Sequence, residues 1–151
     1  MGTGGPEIVY RRATERDRGA MLRVLECANF HHVPSPEMPE FDIDSFFVAE
    51  AGGTIVGVAG FKVTRDGRGK TTLMAVEPEY RGAGVGHRLQ ELRMDELRRL
   101  GCTSVVTNAD RPATIDWYKR KFAYREVGTV AKLHEFGDPS VDRWTTLEAA
   151  L

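Results

Sequence analysis

The sequence predicts a mixed α/β (α+β) fold, a mostly antiparallel sheet flanked by helices in one domain, and three observations predict it. Between Phe46 and Val76, β-prone runs are separated by the short turns Ala51-Gly52-Gly53 and Asp66-Gly67-Arg68-Gly69, the spacing of an antiparallel meander. Three other stretches carry apolar residues at helical spacing. Between these two kinds of pattern lies Arg81-Gly82-Ala83-Gly84-Val85-Gly86, a glycine-rich junction where a strand ends and a helix begins.

In chain order, residues 1–6 read as a disordered start and 7–151 as the single domain. Ile8, Val9 and Tyr10 form a short strand. Thr14 suits a helix N-cap, with Glu15 and Asp17 in the first turn and Met21, Val24, Leu25 and Ala28 on one face, giving about four turns. From Asn29 to Glu40 three prolines forbid regular structure and His31 and His32 sit together. Strands follow at Phe46–Glu50, Thr54–Thr64 and Lys70–Val76. The helix from His87 to Leu100 places Val85, Leu89, Leu92 and Leu100 close to one face, with Leu97 at its margin. Arg93 and Glu96 interrupt that face, which calls for partial exposure or a polar partner. Thr103–Thr107 is a buried-type strand, and Pro112 opens a helix through Phe122 on which Ile115, Tyr118 and Phe122 share a face. Strands at Tyr124–Phe136 and Arg143–Leu147 close the chain around the turn Gly137-Asp138-Pro139.

Composition narrows the function classes. A net charge of −1 with 28% charged residues gives no basic excess for nucleic acid or an anionic membrane. The two cysteines, Cys27 and Cys102, fit neither a disulfide framework nor a metal spacing and read as small core residues of a reduced, cytoplasmic protein. No signal-peptide core or membrane-length apolar run is expected in these 151 residues.

Chemistry concentrates at the glycine junction. Glycines permit turn conformations closed to other residues and leave backbone N–H groups bare. A helix starting there aims unpaired N–H groups and a positive dipole end into the turn, which suits a diphosphate. Two nucleotide folds are excluded: a P-loop needs a Lys-Ser/Thr pair where His87-Arg88 stand, and a dinucleotide fold needs a parallel βαβ unit where hairpins occur.

The stretch Ala75-Val76-Glu77-Pro78-Glu79-Tyr80-Arg81-Gly82-Ala83-Gly84-Val85-Gly86 resembles the acyl-CoA signature of the GCN5-related N-acetyltransferase (GNAT) superfamily. Trp117-Tyr118, followed by Phe122-Ala123-Tyr124, resembles that family's late helix and following strand, and the order of elements matches along nearly the whole chain. Ala123 departs from the pattern, where glycine is the common residue. The resemblance implies a GNAT fold whose sheet splays apart after the strand ending near Val76, leaving a wedge for the pantetheine arm. It implies that Ala75 and Val76 meet the pantetheine and that Gly82, Ala83, Gly84, Val85, Gly86 and His87, after Arg81, take the diphosphate of acetyl-CoA. No metal is expected, since no His, Asp or Glu spacing fixes several ligands on one element.

Acetyl transfer needs a neutral amine, an oxyanion donor and an acid for the leaving thiolate. The Val76 backbone N–H is the candidate oxyanion donor, and Tyr118, by similarity, the candidate acid at sulfur. Tyr118 also fits a core tyrosine sharing a face with Ile115 and Phe122. Asn108 either contacts the pantetheine or caps the next turn. His31 and His32, with Glu37 and the acidic residues to Asp44, either serve a cationic acceptor and its deprotonation or form a solvated loop. Glu50 and Glu77 are further base candidates. Lys119, Arg120 and Lys121 form either a patch for the 3′-phosphate or a solvated helix face.

The leading expectation is acetyl-CoA-dependent N-acetylation of a small amine or amino-acid-like metabolite. The alternatives are acetylation of a protein N-terminus or lysine, and a non-catalytic acyl-CoA-binding module. The last strand, Arg143 to Leu147, is the expected edge for a homodimer.

Overall fold

A computed structural model of the chain describes residues 7–28, 41–133 and 137–151. The described strands are β1 (Ile8–Arg12), β2 (Phe46–Ala51), β3 (Thr54–Val63), β4 (Gly69–Val76), β5 (Ser104–Ala109), β6 (Arg125–Ala131) and β7 (Arg143–Ala150). The helices are α1 (Arg18–Glu26), α2 (Val85–Arg99) and α3 (Pro112–Phe122). The strands form one sheet in the order β1-β2-β3-β4-β5-β7-β6. Every neighbouring pair is antiparallel except β4 and β5.

Strand β2 runs through the middle of the core, and its consecutive side chains alternate between two apolar layers. Phe46 and Val48 join Met21, Val24 and Leu25 of α1, while Phe47 and Ala49 join Val85, Leu89 and Leu97 of α2. A register shift between Ala49 and Glu50 accommodates one extra residue of β3 beside Gly57. A Cβ on Gly57 would stand 3.1 Å from the side chains of both Leu89 and Val85, so the missing side chain lets the start of α2 sit close against the sheet. Leu89 is completely buried in that contact, and truncating such a leucine to alanine costs about 2–5 kcal/mol.

Several sequence expectations are revised. The first helix is shorter than four turns: Glu15–Asp17 forms a single 3₁₀ turn and the α-helix begins at Arg18. Asp17 stabilises the entry by accepting the Thr14 N–H at 2.8 Å. On α2 the buried stripe is Val85, Leu89, Arg93 and Leu97, one residue every four, with Gln90 and Met94 beside it. Leu97 is fully buried, whereas Leu100 follows the helix end and is 46% exposed. Cys102 is buried as expected, but Cys27 is exposed just beyond α1, with its Sγ 3.5 Å from a Glu77 carboxylate oxygen. Strand β7 is no edge: it is paired to β5 on one side and β6 on the other. The free edge at that end belongs to β6, whose seven residues are all exposed.

As the resemblance implies, the sheet splays apart between β4, which ends at Val76, and β5. Strands β4 and β5 pair only at Gly69↔Val105 and Lys70↔Val106. Beyond these positions the two strands form no further ladder pairs, although the Thr107 hydroxyl still donates to the Thr71 oxygen at 3.5 Å, and β4 runs on to Val76 and β5 to Ala109. The result is a wedge with one strand on each wall.

Candidate active site

Three pieces of chain meet at the wedge: the end of β4, the first turn of α2 and the face of α3. On β4 the backbone register decides which groups look into the gap. Antiparallel partners alternate between hydrogen-bonded and non-hydrogen-bonded pairs. The Glu77 N–H donates to the Val56 oxygen at 2.8 Å, so the next pair, Gly57↔Val76, is of the non-bonded kind and Val58↔Ala75 of the bonded kind. The N–H and C=O of Val76, and by the same alternation those of Met74, therefore point away from β3 toward the open side. Ala75 turns its backbone to Val58 and its side chain into the core, where it is 5% exposed.

The glycine junction takes the form its sequence calls for. Gly82 (φ 81°) and Gly84 (φ 84°) are in the left-handed region, and Gly84 caps α2 without any side-chain hydrogen bond. Arg88 N–H bonds the Gly84 oxygen at 3.0 Å and closes the first turn, while the N–H groups of Val85, Gly86 and His87 precede any intrahelical partner. No acidic residue stands in that turn. Arg81 folds back onto the strand end, its Nε donating to the Val76 oxygen at 3.1 Å. Arg81, Gly82, Ala83 and Gly84 are exposed and Val85 is buried beneath them. A Cβ placed on Gly82 or Gly84 would meet nothing within 4 Å, so a ligand can approach this backbone freely. The chain thus offers bare, donor-only backbone of the kind a CoA diphosphate requires.

Helix α3 closes the other side. The Phe122 ring lies 4.8 Å from the His87 ring, bringing the C-terminal end of α3 against the first turn of α2. Tyr118 is 4% exposed, between Trp117 at 4.9 Å and Tyr124 at 5.0 Å, ring to ring. Its Oη accepts from Arg93 Nη2 at 3.1 Å. The same Nη2 lies 3.5 Å from the Met74 sulfur, which sets the phenol on the α2 side of β4, two residues before Val76. Gln90 bridges the group: its Oε1 accepts from Arg93 and its Nε2 donates to Tyr124 Oη at 2.9 Å. Burial, and then the neighbouring Tyr118, pushes the Tyr124 phenol well above the usual tyrosine range.

Asn108 stands on the β5 wall, two residues past the last β4 pairing, where its Oδ1 accepts from the Thr146 hydroxyl at 2.7 Å. Glu50 is engaged by Arg11 at 3.0 Å on the far side of the sheet. Glu77 follows Val76 directly and contacts Cys27. Lys119 pairs with Glu126 at 2.9 Å and Arg120 with Asp116 at 2.6 Å, both on the surface. His31, His32 and Glu37 lie outside the described residues. Among the described residues no group of three His, Cys, Asp or Glu side chains could hold a metal ion, and no helix is long and apolar enough to cross a membrane. Sequence pattern does not mark the buried Gln90–Arg93–Tyr124 group as part of a site. Its sequence signal was an arginine placed at the four-residue spacing of an apolar stripe.

Comparison with known proteins gives a consistent picture. The family model described as the acetyltransferase (GNAT) family matches residues 18–124. A mycothiol acetyltransferase of Streptomyces griseus subsp. griseus is 31% identical over 131 residues, which cover 76% of this chain and 43% of that protein. An amino-acid acetyltransferase of Pseudomonas putida is 29% identical over 117 residues, 75% of this chain and 27% of that protein. The chain spans less than half the length of these curated relatives. Among solved structures, Ard1 from Thermoplasma volcanium superposes with a TM-score of 0.76 at 16% identity, over 95% of this chain and 97% of that one, which establishes likeness of fold.

Proposed function

The chain belongs to the GNAT acetyltransferase family, and on that footing we propose that it transfers an acetyl group from acetyl-CoA to the primary amine of a small metabolite or amino-acid-like acceptor. The observation that carries this reading is the wedge between β4 and β5, with the backbone of Val76 turned into it and the N-terminus of α2 at its mouth. The names of the mycothiol and amino-acid acetyltransferases, to which the chain is 31% and 29% identical, support a small acceptor.

In this mechanism the N–H groups of Val85, Gly86 and His87 bind the diphosphate, with Arg81 to Gly84 forming the turn around it. Asn108 offers its amide nitrogen to the pantetheine from the opposite wall. The neutral amine attacks the thioester carbonyl, and the Val76 N–H donates to the oxygen as it gains charge. The N–C bond forms, the C–S bond breaks, and the Tyr118 phenol gives its proton to the departing sulfur to leave free CoA thiol. The proton lost by the acceptor nitrogen passes through water and restores the phenol.

The deciding experiment is thiol release from acetyl-CoA in the presence of amino acids, amino sugars, polyamines and short peptides in turn. Turnover with amino acids or amino sugars is the expected result. Turnover with peptides alone overturns the small-acceptor assignment, and tight CoA binding with no turnover at all overturns the enzyme reading.

A further inference from the structure

Arg93 is a buried cation in a place that an apolar residue would fill. It is 0% exposed, in the middle of the Val85–Leu89–Leu97 stripe. Among the described residues no carboxylate lies within ion-pair distance of it; its partners are the Gly60 carbonyl at 3.1 Å, Gln90, the Met74 sulfur and Tyr118, and its Nε has none. Burying a charge on these terms destabilises the fold relative to a hydrophobic side chain of similar volume. Fold stability is therefore a poor reason for an arginine here.

We propose that Arg93 is a positioning residue for acetyl transfer, fixing the Tyr118 oxygen as a hydrogen-bond acceptor so that the phenol O–H is directed at the thioester sulfur. The inference rests on the reading of Tyr118 as the acid. A guanidinium has five N–H donors and no acceptor. When Arg93 occupies a lone pair of Tyr118 Oη at 3.1 Å, the phenol hydrogen cannot point back along that contact. No described residue accepts it, so it is free for a ligand in the wedge. Gln90 fixes the direction of the whole group: its amide oxygen faces Arg93 and its nitrogen faces Tyr124, which leaves Tyr118 as the phenol that touches the cation. Tyr124, held neutral by its burial, packs edge-on against the Tyr118 ring and sets its plane.

The test is a double-mutant cycle on kcat with Arg93→Met, Tyr118→Phe and the pair, using acetyl-CoA and the fastest amine of the acceptor screen. Loss of a general acid lowers kcat about 100-fold, which is the expected effect of Tyr118→Phe. Arg93→Met is expected to lower kcat about tenfold in the wild-type background and to have no effect once Tyr118 is phenylalanine, with KM for acetyl-CoA within about twofold throughout. A folded Arg93→Met protein with wild-type kcat overturns the proposal. So does a double variant that falls by the product of the two single effects, an outcome that leaves Tyr118 as the acid. An unchanged kcat in Tyr118→Phe overturns the acid reading itself and this inference with it. If Arg93→Met fails to melt cooperatively, Arg93→Lys decides. A lysine is also a donor only, so its kcat loss is smaller than tenfold and vanishes in the Tyr118→Phe background; an equal loss in both backgrounds refutes the proposal.

Discussion

Arg81 reaches back across its own turn to the strand it has just left, its Nε 3.1 Å from the carbonyl oxygen of Val76. One hydrogen bond thus ties the glycine junction to the residue whose N–H faces the wedge. Arg81 is exposed, so little stability depends on it. Arg81→Ala is expected to leave the melting temperature within about 2 °C while raising the CoA dissociation constant about tenfold, since its guanidinium stands beside the turn and a charge-assisted hydrogen bond from it to the diphosphate would contribute about 1.5–3 kcal/mol. Calorimetric titration with CoA, beside a thermal melt, checks both halves.

Two glycines of the junction, Gly84 and Gly86, separate a demand of the chain from a demand of the ligand. Gly84 has φ 84°, a conformation that costs an L-residue about 1–2 kcal/mol, so Gly84→Ala destabilises the fold and weakens CoA binding together. Gly86 lies within α2, and a Cβ there would meet only the Val76 Cγ2 at 3.9 Å. Gly86→Ala is therefore expected to hold or raise the melting temperature and still weaken CoA, because the methyl group stands at the open mouth of the helix. Equal CoA affinity in Gly86→Ala and wild type removes this turn from the diphosphate site.

Ala123 ends α3 in the left-handed conformation, with φ 59° and its N–H side closing the helix. It is the one non-glycine residue with positive φ among those described. Ala123→Gly relieves that strain and is expected to stabilise the protein by about 1 kcal/mol, or about 2–4 °C in melting temperature, without changing kcat. Unchanged or reduced thermal stability in this variant contradicts the strain.

Acid sensitivity is expected to trace to Asp17. Two hydrogen bonds from Arg11, at 2.8 and 2.9 Å, are the main cause that holds its carboxyl well below the usual carboxylate range, helped by the Thr14 N–H. A carboxyl whose folded-state value is depressed contributes its full stabilisation above the unfolded range, near pH 4, and loses it as pH falls below that. Asp17→Asn is expected to cost about 1–3 kcal/mol at pH 7 and to narrow its gap to wild type by pH 2. Urea unfolding at the two pH values measures the difference, and a gap that stays constant with pH discounts Asp17.

Short-range chemistry made much of this protein legible before any fold was known. Period-two runs and glycine turns marked the β2–β3–β4 meander, and Pro112 marked the first residue of α3. Arg81 to Gly86 marked a strand-to-helix turn with bare N–H groups. What local pattern misjudged was the cost of polar burial. Helical spacing alone sets Leu100 ahead of Leu97 on the core face, because it cannot show that Arg93 has Gly60, Gln90 and Tyr118 to satisfy it at the centre of the stripe.

Local conformations and the chemistry of the glycine turn depend on residues adjacent in the chain and so follow from sequence alone. Tertiary structure alone decided three matters that depend on partners far apart in sequence. Pairing of β4 with β5 stops at Lys70 and Val106, which opens the wedge six residues before β4 ends. Register against β3 turns Val76, and not Ala75, toward that wedge, since ladder bonds alternate from one pair to the next. Insertion of β7 between β5 and β6 leaves β6 as the exposed edge, a choice of neighbour set by pairing between segments far apart in the chain.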